Sequence, residues 1–288
     1  PSSCRLTPVR ARVARKSMTL SFVLFLSLTH LAIGIIFTLV LVSKVAGVKF
    51  FRFNAGYAAA LLLVALAMRP DEVVLGETVQ GAALVALLVA TGAILIYWVT
   101  IGRVLARLRP VWLWAAVLSG GAALVLQGIA VTAAASTAAT PATWLTVASF
   151  VTSAALLGGT STAMILGHWY LVIPSMEVSL LQAIVKFHIG STAFRILVVS
   201  VVVWWAVAAA ELPGPGFEQY LFSIDGVFFW QRILFGLLGP VVLAYMTWET
   251  AKIRSTQSAT GILYVDFFTV IVGEVLAKYV IVTTTVPV

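Results

Sequence analysis

A short set of ionisable residues stands inside stretches that otherwise read as lipid-soluble: His30, Glu77, His168, Lys186, His188, Arg195, Arg232, Asp266, Glu274 and Lys278. A charge near the bilayer centre costs roughly 2.5–3.5 kcal/mol even on the mildest scale, so each is a candidate for handling protons, ions or redox molecules. Glu274 and Lys278 are four apart on what reads as the last helix, hence on one face, with the acid nearer the amino end as the favourable order requires. With Arg232 of the preceding helix they can build a buried polar network, which either neutralises itself or stands beside a ligand. Glu77 opens the third apolar stretch, where the helix dipole favours a carboxylate, so it can cap the helix or accept a proton. His168 and His188 flank the tight Pro174-Ser175 connection. At about 1.5 Å per residue both lie roughly 10–15 Å deep on adjacent antiparallel helices. That depth suits the axial imidazoles of a b-type haem. The alternative is a pair of hydrogen-bonded or quinone-contacting histidines with Trp169, Tyr170 and Lys186 as partners. His30 is alone in mid-span and reads as an interhelical hydrogen bond.

Other chemistry is excluded by residue type. One cysteine, Cys4, leaves no internal disulfide, no thiolate zinc site and no iron–sulfur cluster held by this chain alone. A Walker loop, a zinc motif and a nucleophile elbow are all missing from the sequence.

The elements that must position these residues are membrane helices. Of 288 residues, 61% are hydrophobic and 10% charged, with a mean hydropathy of +1.09, where a soluble domain is about 25% charged. Apolar runs of about 20 residues fall near Met18–Ser43, Ala55–Met68, Val79–Ile101, Val111–Ala133, Trp144–Val172, Val178–Ala210, Val227–Trp248 and Gly261–Thr283. The second is short and extends back to Phe50 if it is to span. The breaks carry turn residues, as in Arg69-Pro70-Asp71-Glu72 and Pro213-Gly214-Pro215-Gly216. The runs are far longer than barrel strands and lack alternation. The expected fold is therefore all-α, a polytopic integral membrane bundle of about eight transmembrane helices over residues 18–288, preceded by a basic tail, residues 1–17. Gly158-Gly159 and Gly120-Gly121 read as places of close helix packing. Residue 1 is proline, so an initiator or leader is expected upstream, and the stretch from Met18 is too long and unbroken for a cleaved signal peptide.

The formal charge of +8 lies beside the spans and reads as a topology signal, with membrane lipid and not nucleic acid as the partner. The first, third and seventh connections hold Lys44, Lys49, Arg52, Arg103, Arg107, Arg109, Lys252 and Arg254. The second, fourth and sixth hold Arg69 among Asp71, Glu72, Glu211, Glu218 and Asp225. The positive-inside rule then puts the odd connections in the cytoplasm and both termini outside. The tail, with Arg5, Arg10, Arg12, Arg15 and Lys16, argues the other way.

Gly273-Glu274-Val275-Leu276-Ala277-Lys278-Tyr279 resembles the Gly-Glu-x-x-Gly/Ala-Arg/Lys signature in the last helix of membrane anchor subunits of dimethyl sulfoxide reductase and polysulfide reductase type complexes. Gln231-Arg232-Ile233-Leu234 is similar to the arginine-bearing start of that family's penultimate long helix, and Glu77-Thr78-Val79-Gln80-Gly81 to the Glu-x-x-x-Gly opening its third. The resemblance covers about a tenth of the chain in short motifs. It implies a haem-free anchor in a bacterial or archaeal cytoplasmic membrane that takes quinone as substrate. Such an anchor exchanges electrons with an iron–sulfur subunit, which in turn serves a molybdopterin-type catalytic subunit. Glu77 would then be the catalytic, proton-handling residue, and Arg232, Glu274 and Lys278 the polar network. The family's histidine just before the third span is absent, Ala67-Met68-Arg69-Pro70 standing there, and His168 and His188 are additional to the pattern. Rival readings are a di-histidine b-type cytochrome, a secondary transporter and a scaffold subunit.

Overall fold

The computed structural model describes residues 8–76, 78–102, 108–135, 143–173, 177–208 and 217–288, with side chains from residue 20 onward. Its long helices are α1 (Pro8–Leu41), α2 (Gly47–Ala67), α3 (Val79–Thr100), α4 (Arg109–Ala135), α5 (Thr143–Val172) and α6 (Val178–Ala208). A short α7 (Phe217–Leu221) precedes α8 (Val227–Ile233), a π-helical turn over Leu234–Leu238, α9 (Gly239–Lys252) and α10 (Thr256–Thr284). Among the described residues, seven stretches are long and apolar enough to cross a membrane, α8 through α9 counting as one. The eighth long helix, α10, has 29 residues and carries Asp266, Glu274 and Lys278. The fold is thus an all-α polytopic membrane bundle of about eight helices.

Helix α5 is the centre of the bundle, packing on α1, α4, α6 and α10. Its span is 83% buried, against 33% for α4, and its sequence explains why. Ser149, Thr152, Ser153, Gly158, Gly159, Thr160, Ser161 and Thr162 are small and buried, which lets neighbouring backbones approach as membrane helices require in the absence of a hydrophobic driving force. At Gly158 a Cβ would stand 2.1 Å from the Gly34 carbonyl carbon of α1, so these two helices cross backbone to backbone. Gly120 meets the Ile33 side chain, whereas Gly121 faces open space. Of the two expected glycine pairs, only the one on α5 therefore brings backbones together.

Several element boundaries differ from the sequence reading: α1 begins at Pro8, within the expected basic tail, and α10 at Thr256 instead of Gly261. Helix α2 begins at Gly47, earlier than the apolar run. Lys49 and Arg52 are exposed in its first turns, where long side chains carry their charge out to the interface. The seventh span is one membrane crossing but not one regular helix, since the π turn separates α8 from α9. A π turn places an extra residue in the ladder and shifts the register of everything before it. Here it lies directly after Arg232.

Candidate functional site

The charged centre is built around Glu274 of α10. Its Oε1 accepts from Arg195 Nε at 3.0 Å and from Arg232 Nη2 at 2.9 Å. Its Oε2 accepts from Arg195 Nη2 at 3.2 Å, from Ser153 Oγ at 2.5 Å and from Lys278 Nζ at 3.4 Å. All five residues are buried, none more than 2% exposed. Three cationic side chains from α6, α8 and α10 thus converge on one carboxylate. Taking charge out of water is repaid only when the lone pairs and protons of the group are satisfied. Arg195 meets that condition: its Nη1 donates to the Ser149 carbonyl at 3.0 Å and hydroxyl at 2.7 Å, and its Nη2 to the Val288 carbonyl at 3.1 Å. Arg232 does not, because its Nε and Nη1 have no partner among the described residues.

A glycine contact positions Arg232. A Cβ on Gly273 would lie 2.1 Å from the Gly236 Cα, and one on Gly236 would lie 2.1 Å from the Arg232 Nη1. The π turn containing Gly236 therefore seats directly on α10 one residue before Glu274, and the guanidinium folds over it. The expected trio of Arg232, Glu274 and Lys278 does come together. Arg195 and Ser153, which join it, carry no local sequence signal for that role. Only the adjacency of α5, α6 and α10 reveals them.

Ser153 ties this centre to α1. Its hydroxyl proton goes to Glu274, and it accepts from Lys278 Nζ at 2.7 Å. His30 Nδ1 stands 3.3 Å from the same oxygen. With the serine proton already given away, His30 donates from Nδ1, which leaves Nε2 as the acceptor nitrogen on the side of Gln127. His30 is fully buried, its ring set edge-on to Phe150 at 4.7 Å between centroids. The interhelical hydrogen bond expected of His30 is present.

His30 and the neighbouring Gln127 stand close enough for their side chains to interact, although neither His30 Nε2 nor Gln127 Oε1 has a partner of good hydrogen-bond geometry. Gln127 belongs to α4 and is 6% exposed. It lines an apolar crevice between α1, α3 and α4, with Phe22, Phe25, Leu26, Leu84 and Val131 among the walls. Gln80, the second residue of α3, also lines it. Glu77 lies outside the described residues, three positions before Gln80. The cap of α3 is Thr78, whose side chain accepts from the Gly81 N–H at 3.1 Å.

His168 and His188 are not brought together. His188 is fully buried, with Nε2 2.7 Å from Asp266 Oδ2, an oxygen that also accepts from Thr160 Oγ1 at 3.2 Å. His168 faces outward and pairs through Nδ1 with Tyr264 Oη at 2.9 Å. The two partners are two residues apart on α10, hence roughly 200° apart around it. Lys186 stacks over Trp248, 5.3 Å from the ring centroid. Among the described residues, no group of three or more His, Cys, Asp or Glu could hold a metal ion. No protein-family model matches this chain, and no curated protein does.

Proposed function

We propose that this chain is a quinone-interacting membrane subunit of a respiratory oxidoreductase complex. The observation that carries the reading is the row of polar groups from the crevice inward, from Gln127 beside His30 through Ser153 to Glu274 and its three cations. Quinol oxidation needs an apolar slot for ring and tail, and a base within hydrogen-bond reach of each hydroxyl. The crevice between α1, α3 and α4 is apolar and marks the place of the slot, but at about 70 Å³ it must widen to admit a ring. His30, fully buried behind the Gln127 side chain that lines the crevice, offers a base whose Nδ1 is already fixed by Ser153 and which a proton reaches by way of Gln127. A proton arriving at His30 makes it an imidazolium, and the hydroxyl of Ser153 relays the change to the charged centre. Glu77 is the second proton-handling group, one turn before Gln80 in sequence.

Electrons must leave for a partner, because a single cysteine cannot ligate a cluster. The reading therefore includes an iron–sulfur subunit and, beyond it, a molybdopterin-type catalytic subunit. It also includes a bacterial or archaeal cytoplasmic membrane, with both termini outside. Purification from native membranes tests it. A cluster-binding subunit should co-purify, short-tailed quinol should be turned over, and Glu77→Gln should slow turnover while leaving assembly intact. A protein that purifies without such a partner and has no quinol-linked activity contradicts the reading.

A further inference from the structure

At the other end of the bundle, toward the face of the odd-numbered connections, lies a second crevice of about 320 Å³, lined by Phe53, Tyr57, Met164, His168, Trp169 and Tyr264. From the helix ends at Gly47, Val172 and Thr256, its residues sit about 4–15 Å along their helices at about 1.5 Å per residue. That range runs from the headgroup interface into the apolar core, and His168 and Tyr264 are exposed there. An imidazole at the edge of the apolar core gains from a partner for each nitrogen. Tyr264 satisfies Nδ1, while Nε2 has no partner among the described residues.

The walls are aromatic. Phe53 stacks on Tyr57 with centroids 6.4 Å apart, and tilts on Trp169 at 6.2 Å. Such surfaces favour a flat ring in offset or edge contact. The polar pair adds a selection of its own. When the Tyr264 hydroxyl donates to Nδ1, the imidazole carries its proton on Nε2 and can donate to a carbonyl. When Nδ1 carries the proton and donates to the phenol oxygen, Nε2 becomes an acceptor for a hydroxyl. A tautomer shift with a hydroxyl rotation therefore fits the same site to either oxidation state of a ring that interchanges carbonyl and hydroxyl. A lipid acyl tail would use neither the rings nor the switch.

We propose that this crevice is a second binding site for a quinone or quinol head group, in the opposite half of the membrane from the Gln127 crevice, with His168 Nε2 bonded to a ring oxygen. The inference rests on the quinone reading above and adds a site to it. An azido-substituted decyl-benzoquinone, photolysed with the purified full-length protein and mapped by peptide mass spectrometry, tests it. Label is expected on peptides of α2, α5 and α10 around Phe53, Trp169 and Tyr264. In His168→Leu and Tyr264→Phe, each checked for monodisperse folding, half-saturation should move to roughly tenfold higher probe, the loss of about one hydrogen bond. Gln127→Leu should leave this labelling in place. Label that ignores both variants, or its absence at saturating probe, overturns the second site. If quinol turnover depends on Gln127 while no label appears here, only the second site falls. If label appears here while the native complex turns over no quinol, only the first reading falls.

Discussion

Arg195 and Glu274 meet in a two-pronged contact, Nε to Oε1 at 3.0 Å and Nη2 to Oε2 at 3.2 Å, with both side chains fully buried. They come from different helices, 79 residues apart in sequence. The guanidinium is also bonded to Ser149 and Val288, so it locks α5, α6 and the stretch after α10 around one carboxylate.

From this follows an order of stabilities. Arg195→Met takes two bonds from the carboxylate, which keeps Arg232, Lys278 and Ser153, and strands the oxygens of Ser149 and Val288, whereas Arg232→Met removes a group that gives Glu274 one bond and has two unpartnered nitrogens. Breaking a buried pair costs about 3–5 kcal/mol. Arg195→Met should approach that figure in thermal unfolding of the detergent-solubilised protein, and Arg232→Met should fall clearly below it. Equal losses would mean that the extra bonds of Arg195 carry no weight.

The glycine contact between α10 and the π turn makes a second expectation. Gly273→Ala places a methyl 2.1 Å from the Gly236 Cα, with backbone on both sides and no flexible side chain to move. Overpacking of this kind costs typically about 1–3 kcal/mol. Gly92→Ala, which meets nothing within 4 Å, should leave stability unchanged or raised. A melting temperature for Gly273→Ala equal to that of Gly92→Ala would show that the helices separate easily here.

His188 and Asp266 are a buried pair that the proposed quinone chemistry does not use. Combining His188→Leu with Asp266→Asn in a double-mutant cycle should give a coupling of about 0.5–3 kcal/mol, as for contacting groups in one network. The readout is reversible unfolding in mixed micelles. Additive losses would mean that the 2.7 Å contact contributes nothing to stability.

Much of this was legible in the sequence. Runs of apolar residues long enough for a bilayer gave the helices, and the cost of charge in lipid singled out Glu274, Lys278 and Arg232 before any coordinates. The spacing of Glu274 and Lys278 gave their shared face. What stayed hidden depends on which helices are neighbours and on how each is rotated. Arg195 and Asp266 stood among the ionisable residues without an assigned partner, because nothing local says that α6 and α10 meet. Ser153 is one small polar residue among many on α5. The π turn after Arg232 has no residue signature, since Leu234-Phe235-Gly236-Leu237-Leu238 reads as ordinary helix. His168 and His188 looked like a pair because both lie near one connection, but depth alone does not fix azimuth, and the helices turn them to different partners.

The proposed quinol chemistry turns on a base in line with the Gln127 crevice. It is tested most directly by His30→Gln, which keeps a hydrogen-bonding side chain of similar reach but cannot become a cation. Steady-state oxidation of a short-tailed quinol by the native complex should fall by roughly 10²–10⁴-fold, the contribution of a general base, while the melting temperature and subunit composition stay as in the wild type. Wild-type turnover in a correctly assembled His30→Gln complex would contradict the account.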